Sequence, residues 1–459
     1  MGTFELLIFV TGTLVLSGTV YGVVKYNDTL HPLVYLMPMA GFIYLYMPVQ
    51  LHRQGGLRSY FTPDEIVFVQ GVFIVGIGAL IAGAIYGSRG LRRDPERVDA
   101  HSVAMTLSVR QTLFRLGVVL GVIGFAAYTY ELYNVGGFIE AYDSVKGGGW
   151  ASSGYLRDLD YLLVPAIALI YLSRTDQPMT IGHWVLVGLF SFPFAARGFL
   201  TARRGPTFIF FAVLIGGWYL TRRRRPSVPT LAVGGGLIGL TLLALVTFRG
   251  QIYLGGSFFT GEGPPTDEIV ESSLSWATRP TLANEFMYGS YVVLNAREQG
   301  EHYWGARYAT QTFVRPIPSA FWPNKYEAVG MEAIAVNSGQ LLTANIGEHP
   351  DVPKGAAPGF VGSAYVEWGL LGAPIFLFGI GWLYAWMWRK SLVEGGLWIV
   401  GYTILLAMAA YFIAQSFYAI FYRLLLMGIP PVFGWYLLRP HSMPDRETLR
   451  QQRIPSASA

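Results

Sequence analysis

Cysteine is absent from all 459 residues, which excludes disulfides, thiolate nucleophiles, cysteine-ligated metals and iron–sulfur clusters from any mechanism. Charge is scarce. Asp, Glu, Lys and Arg make up 13% of the chain against 53% hydrophobic residues, and mean hydropathy is +0.41, a balance that no soluble globular fold with a polar surface accommodates. The chain also lacks a Walker A sequence, a His-Glu-x-x-His pair and a G-x-S-x-G elbow, so ATP-driven transport and membrane proteolysis lose support. No internal repeat is visible. Only the last dozen residues, ending RIPSASA, read as disordered.

What remains is apolar runs. About 11 of them are long enough to span a bilayer, near 4–24, 30–51, 65–86, 112–133, 158–173, 183–200, 206–221, 229–248, 358–388, 394–415 and 418–438. The expected fold class is therefore an all-α polytopic membrane protein. The first run lacks both a basic n-region and a small-residue cleavage site, which fits a retained span. Net charge is +5, and the arginines that produce it lie in loops, a pattern of membrane orientation and not of nucleic-acid binding. The four densest clusters are the link carrying Arg89 to Arg110, the run at 222–225, the pair Arg389 and Lys390, and the tail after 438. An even number of runs separates each from the next, so all four can share one face. Assigning that face to the cytoplasm puts the C-terminus inside and, with 11 runs, the N-terminus outside. The chain then divides into runs one to eight (1–248), a large outward loop that is partly helical (249–357), runs nine to eleven (358–438) and a cytoplasmic tail (439–459). Within the large loop, 267–299 is expected to form one or two helices on the membrane surface.

The turn at 196–206, ARGFLTARRGP, breaks the orientation rule. Only about 17 residues separate Arg204 from Arg222, enough for one crossing, so Arg197, Arg203 and Arg204 fall on the outer face. Cations on the disfavoured side need a reason, and an anionic ligand is the simplest. Other cations expected outside are Arg249, Arg279, Arg297, Arg307, Arg315, Lys325, His349, Lys354 and Arg423 near the start of the last run. Arginine suits a phosphate or diphosphate because its planar fork donates two parallel hydrogen bonds and stays charged when partly desolvated. A bilayer-anchored substrate with its diphosphate at headgroup level would meet this set.

Further candidates surround it. Residues 315–325, RPIPSAFWPNK, fix the backbone with three prolines and place Phe321 and Trp322 beside Lys325, a platform on which sugar rings can stack. Glu348 and His349 could accept a proton from a sugar hydroxyl. Glu367, inside the ninth run, is a functional candidate because an ionisable group in the membrane is expensive to keep. Asp158 and Asp160 form an Asp-Leu-Asp pattern that is a weak metal signal, and Glu131 reads as an interfacial anchor.

Three segments together resemble the bacterial oligosaccharide repeat-unit polymerases, the Wzy-type O-antigen polymerases. They are the Arg203-Arg204-Gly205 turn, HYWGARYATQTFVRPIPSAFWPNK at 302–325, and GFVGSAYVEWGLLG at 359–372. The order Arg315-Pro316 departs from the Pro-Arg that the family often shows. The resemblance implies a GT-C-like integral-membrane glycosyltransferase working without cofactor or metal. It would transfer a growing glycan from a polyprenyl-diphosphate-linked donor to a hydroxyl of a lipid-linked acceptor, in O-antigen, exopolysaccharide or capsule assembly. A chain-length regulator and a flippase are its implied partners, besides membrane lipids. In this reading Arg204, Arg279 and Arg315 hold the diphosphate, Arg197 and Arg203 support it, and Glu348 or His349 activates the acceptor. Trp322, Lys325, Glu367 and Arg423 line the substrate. An O-antigen ligase, with the same donor and another acceptor, and a flippase or transporter stay open as alternatives.

Overall fold

A computed structural model describes residues 2–90, 107–144, 156–222, 225–248, 250–256, 260–261, 284–319, 321–331 and 357–438. Among these residues every regular element is helical, as hydrocarbon demands of a backbone that cannot turn its N–H and C=O groups to water. Among the described residues seven helices are long and apolar enough to cross a membrane: α1 (Thr3–Tyr26), α2 (Pro32–Arg53), α3 (Pro63–Gly87), α4 (Leu107–Val135), α8 (Val228–Thr247), α10 (Gly359–Val393) and α12 (Phe417–Leu438). By length and composition this is a multi-pass membrane protein.

The other four expected runs build shorter or more broken elements, so seven helices meet both criteria where the sequence suggests about 11. The run at 158–173 opens as a 3-10 turn (Arg157–Leu162) before α5 (Leu163–Ser173). Helix α6 (Ile181–Phe199) carries Pro193 and the charge of Arg197. A π turn at Ala212–Gly216 interrupts α7 (Arg204–Leu220). The tenth run breaks at Met408 into α11 (Leu397–Ala407) and the short Ala409–Ala414 helix.

Local signals set the helix ends. Thr62 accepts from the Glu65 N–H while Glu65 accepts from the Thr62 N–H at 2.7 Å, a capping box with Pro63 at the first helical position of α3. Helix α9 (Glu285–Gln299), in the large loop, starts under Asn284, which accepts from the Met287 N–H at 3.0 Å, and stops at Gly300 with φ 67°. Its residues Phe286, Met287, Val292 and Val293 are buried against the rest of the bundle.

Helices α3 and α10 form the closest pair, backbone against backbone. A Cβ on Gly83 would sit 1.9 Å from the Phe378 carbonyl oxygen, and one on Gly381 2.1 Å from that of Leu80. Small residues at such contacts let helices in lipid approach until dispersion becomes appreciable.

The basic loops gather at one end of the bundle. Arg110 and Arg222 donate to backbone carbonyls between Ser173 and Gln177, just past the C-terminus of α5, where cations also complement the helix dipole. Arg225 lies 3.5 Å from Asp28, which accepts from Trp388 Nε1 at 2.9 Å, and Arg389 donates to the Arg89 carbonyl. Three of the four clusters, those at 89–110, 222–225 and 389–390, thus interlock. The fourth lies in the tail, outside the described residues. The opposite end carries the arginine turn, the 3-10 turn and the described parts of the large loop.

Candidate functional site

Helices α6 and α7 close on each other through a tight turn. Ala202 takes a left-handed φ of 49°, and the Arg203 N–H donates to the Gly198 carbonyl at 3.1 Å. The three arginines of this turn then diverge. Arg197 points into the bundle, where Glu131 accepts from it at 2.6 Å and Asp160 pairs with its other terminal nitrogen. Both carboxylates are buried, so Glu131 is a buried counter-ion and not the interfacial anchor its position suggested. Arg203 sits at the N-cap position of α7, without a capping hydrogen bond from its side chain, and is half-buried. Arg204 reaches the other way: its side chain is 50% exposed, and its Nη2 donates at 2.6 Å to Glu285, itself only 6% exposed. The first turn of α9 thereby docks onto the turn. Gly205 lets Tyr411 pack against the same backbone, because a Cβ there would lie 2.1 Å from the Tyr411 hydroxyl oxygen.

Tyr411 leads to a second pair of arginines. Arg423 lies over its ring at 5.2 Å and over Tyr161 at 4.9 Å. Arg315 donates to Asp158 at 2.7 Å and to the Gln311 side-chain oxygen at 2.9 Å, with Tyr422 beneath its guanidinium at 4.8 Å. Asp158 and Asp160 therefore face different arginines and do not converge. Among the described residues no three carboxylate or imidazole groups meet to hold a metal ion.

A buried ion pair fixes the loop that supplies Arg315. Arg307 pairs with Glu367, and these side chains are 2% and 0% exposed. Glu367 also accepts from the Gly305 N–H at 2.9 Å, while its own carbonyl accepts from the Trp304 N–H at 2.8 Å. Helix α10 bends two residues later, at Gly369, whose φ of 67° is open to glycine at little cost. The segments 302–325 and 359–372 are thus one unit. Burial pushes the Tyr308 phenol up, leaving it an uncharged wall beside this pair.

Lys325 is buried and donates to the Arg315 carbonyl at 3.0 Å and to that of Ile317, which pins the proline segment. Trp322 is half-buried, whereas Phe321, Phe313 and Trp304 are exposed at the same end. Of the residues singled out in the sequence, Arg315 is paired with Asp158, Arg423 stacks on Tyr411, and Arg204 is linked to them through its neighbour Gly205, which packs on Tyr411. Arg197, Lys325 and Glu367 stand behind them with their charges engaged. Arg279, Glu348 and His349 lie outside the described residues. Sequence reasoning did not single out Glu285, Tyr161 or Tyr411, and it ranked Arg307 as one cation among many. The only local hint was Glu285, an acid directly after a capping Asn.

Comparison with protein-family models, with curated proteins and with solved structures finds no match.

Proposed function

We propose that this protein is an integral-membrane glycan polymerase of the bacterial plasma membrane, with eleven crossings and its site on the periplasmic side. It joins polyprenyl-diphosphate-linked repeat units. The observation that carries this reading is the gathering of Arg204, Arg315 and Arg423 at the end of the bundle opposite the interlocked basic loops, with Arg204 half exposed. In the proposed reaction an acceptor sugar hydroxyl attacks the anomeric carbon of the donor glycan, and the bond from that carbon to the diphosphate oxygen breaks. The hydroxyl proton passes to a base, Glu348 or His349, and polyprenyl diphosphate leaves. Charge grows on the diphosphate as the bond lengthens, so arginines placed there in advance favour the transition state over the ground state. Arg204, Arg279 and Arg315 hold the diphosphate, with Arg203 and Arg197 behind. Exposed aromatics such as Phe321 and Trp304 give sugar rings an apolar face.

The test is reconstitution. Purified protein supplied with a lipid-linked repeat unit should yield a ladder of oligomers. A single transfer to an unrelated acceptor would replace polymerase by ligase, and movement across liposomes without new glycosidic bonds would replace it by transporter.

A further inference from the structure

Arg423 occupies the first turns of α12 with its guanidinium held between the rings of Tyr161 and Tyr411. Its Nη1 is sealed from solvent and has no hydrogen-bond partner among the described residues. Asp158 is the carboxylate that acts on it electrostatically. That carboxylate is already engaged, because Arg315 donates to its Oδ2 at 2.7 Å. Asp158 is thus paired with Arg315 while also attracting Arg423, so among these three side chains two cations face one carboxylate, and leaving a cation without a paired oxygen is expensive. Tyrosine faces attract a cation but cannot accept its in-plane N–H bonds as an oxygen does. An unsatisfied buried donor in a native protein calls for an explanation, and an ionisable group at membrane depth points to a ligand by default.

We propose that Arg423, a half-buried residue whose Nη1 is sealed from solvent, is an anion-binding group for a phosphate-type oxyanion. The oxyanion accepts from Nη1 and competes with Asp158 for the positive charge of Arg423 and Arg315. Arg204 and Gly205 mark its approach: Arg204 is half exposed, Gly205 lies against Tyr411, and Tyr411 lies against Arg423. Identifying the anion as the diphosphate of a lipid-linked donor rests on the polymerase reading. The anion site itself rests on the charge count and the free N–H.

The competition gives two effects of opposite sign. Binding of inorganic pyrophosphate to the full chain in lipid nanodiscs, followed by titration calorimetry, should weaken about tenfold or more in Arg423→Gln, as expected for loss of a charge-assisted hydrogen bond. In Asp158→Asn it should tighten several-fold, because the competing carboxylate is gone. Because Asp158 is paired with Arg315, the tightening must be lost when Asp158→Asn is combined with Arg423→Gln, and its persistence there would assign the anion to Arg315 alone and overturn the proposal. Unchanged binding in Arg423→Gln overturns the proposal, as does a wild-type chain that does not bind millimolar pyrophosphate. Where Arg423→Gln fails to fold, Arg423→Lys, which keeps the charge but not the planar fork, decides, and unchanged pyrophosphate binding there overturns it. A protein that shows both effects but makes no polymer keeps the anion site and loses the polymerase reading. One that polymerises while Arg423→Gln binds normally does the reverse.

Discussion

The ion pair between Arg307 and Glu367 makes a demanding test of how the large loop is held. Both side chains are essentially shut off from solvent. Glu367→Gln keeps an oxygen for the Gly305 N–H but removes the charge facing Arg307. The guanidinium is then left with the Ser363 carbonyl at 3.3 Å and the rings of Tyr303 and Tyr418 at 4.7 and 5.0 Å. Stranding a buried charge in this way costs about 3–5 kcal/mol, so the singly substituted proteins Glu367→Gln and Arg307→Met should each lose that much unfolding free energy. Removing both together leaves no stranded ion, and the double substitution should lose at least about 2 kcal/mol less than the sum. Equilibrium unfolding of the four proteins in bicelles measures the cycle. Limited proteolysis locates the effect, since segment 302–331 should be cut faster in either single variant. Additivity within about 0.5 kcal/mol, or unchanged cleavage, would refute the idea that this pair couples the loop to α10.

Arg204→Ala and Arg204→Lys should both abolish polymer in reconstituted assays while membrane insertion stays normal, because lysine lacks the planar two-donor fork; normal polymer from both would remove Arg204 from the site. Arg197→Gln leaves Glu131 and Asp160 without their shared cation and should destabilise by about 3–5 kcal/mol, read from the shift in unfolding free energy. An unaltered transition would mean these carboxylates do not depend on it. Gly83→Ala forces a Cβ onto the Phe378 carbonyl and should lower stability by about 1–3 kcal/mol or more. Gly78→Ala, with no neighbour within 4 Å, serves as the control and should be neutral or slightly stabilising. Equal transitions for the two would show that α3 and α10 are not in backbone contact.

Much of the architecture can be read along the chain because membrane burial is a local property of composition. Each of the apolar runs near 4–24, 65–86, 112–133 and 229–248 becomes a helix at nearly the expected place, since apolar backbone in lipid has few other ways to pair its N–H and C=O groups. The parity of the basic loops likewise anticipates their meeting, as in the contacts of Arg110, Arg222 and Arg389 at one end. Helix breaks were less legible. The 3-10 turn before α5 and the bend at Gly369 follow from which partners Asp158, Asp160 and Glu367 find, and those partners lie far away in sequence.

The sequence alone determined that this is an all-helical, multi-pass chain without thiol chemistry, with an arginine turn between two apolar runs and a long aromatic and proline-rich loop. Tertiary structure decided what each arginine is for. Arg197, Arg203 and Arg204 look alike in the chain, yet one is buried between two carboxylates, one is half-buried at the start of a helix and one reaches solvent beside Glu285. Arg423 resembles any interfacial cation until Tyr161, Tyr411 and Asp158 close around it. Hydropathy sums over neighbours along the chain, whereas charge pairing depends on distances in space, and residues separated by 81 or 157 positions meet only once the helices have packed.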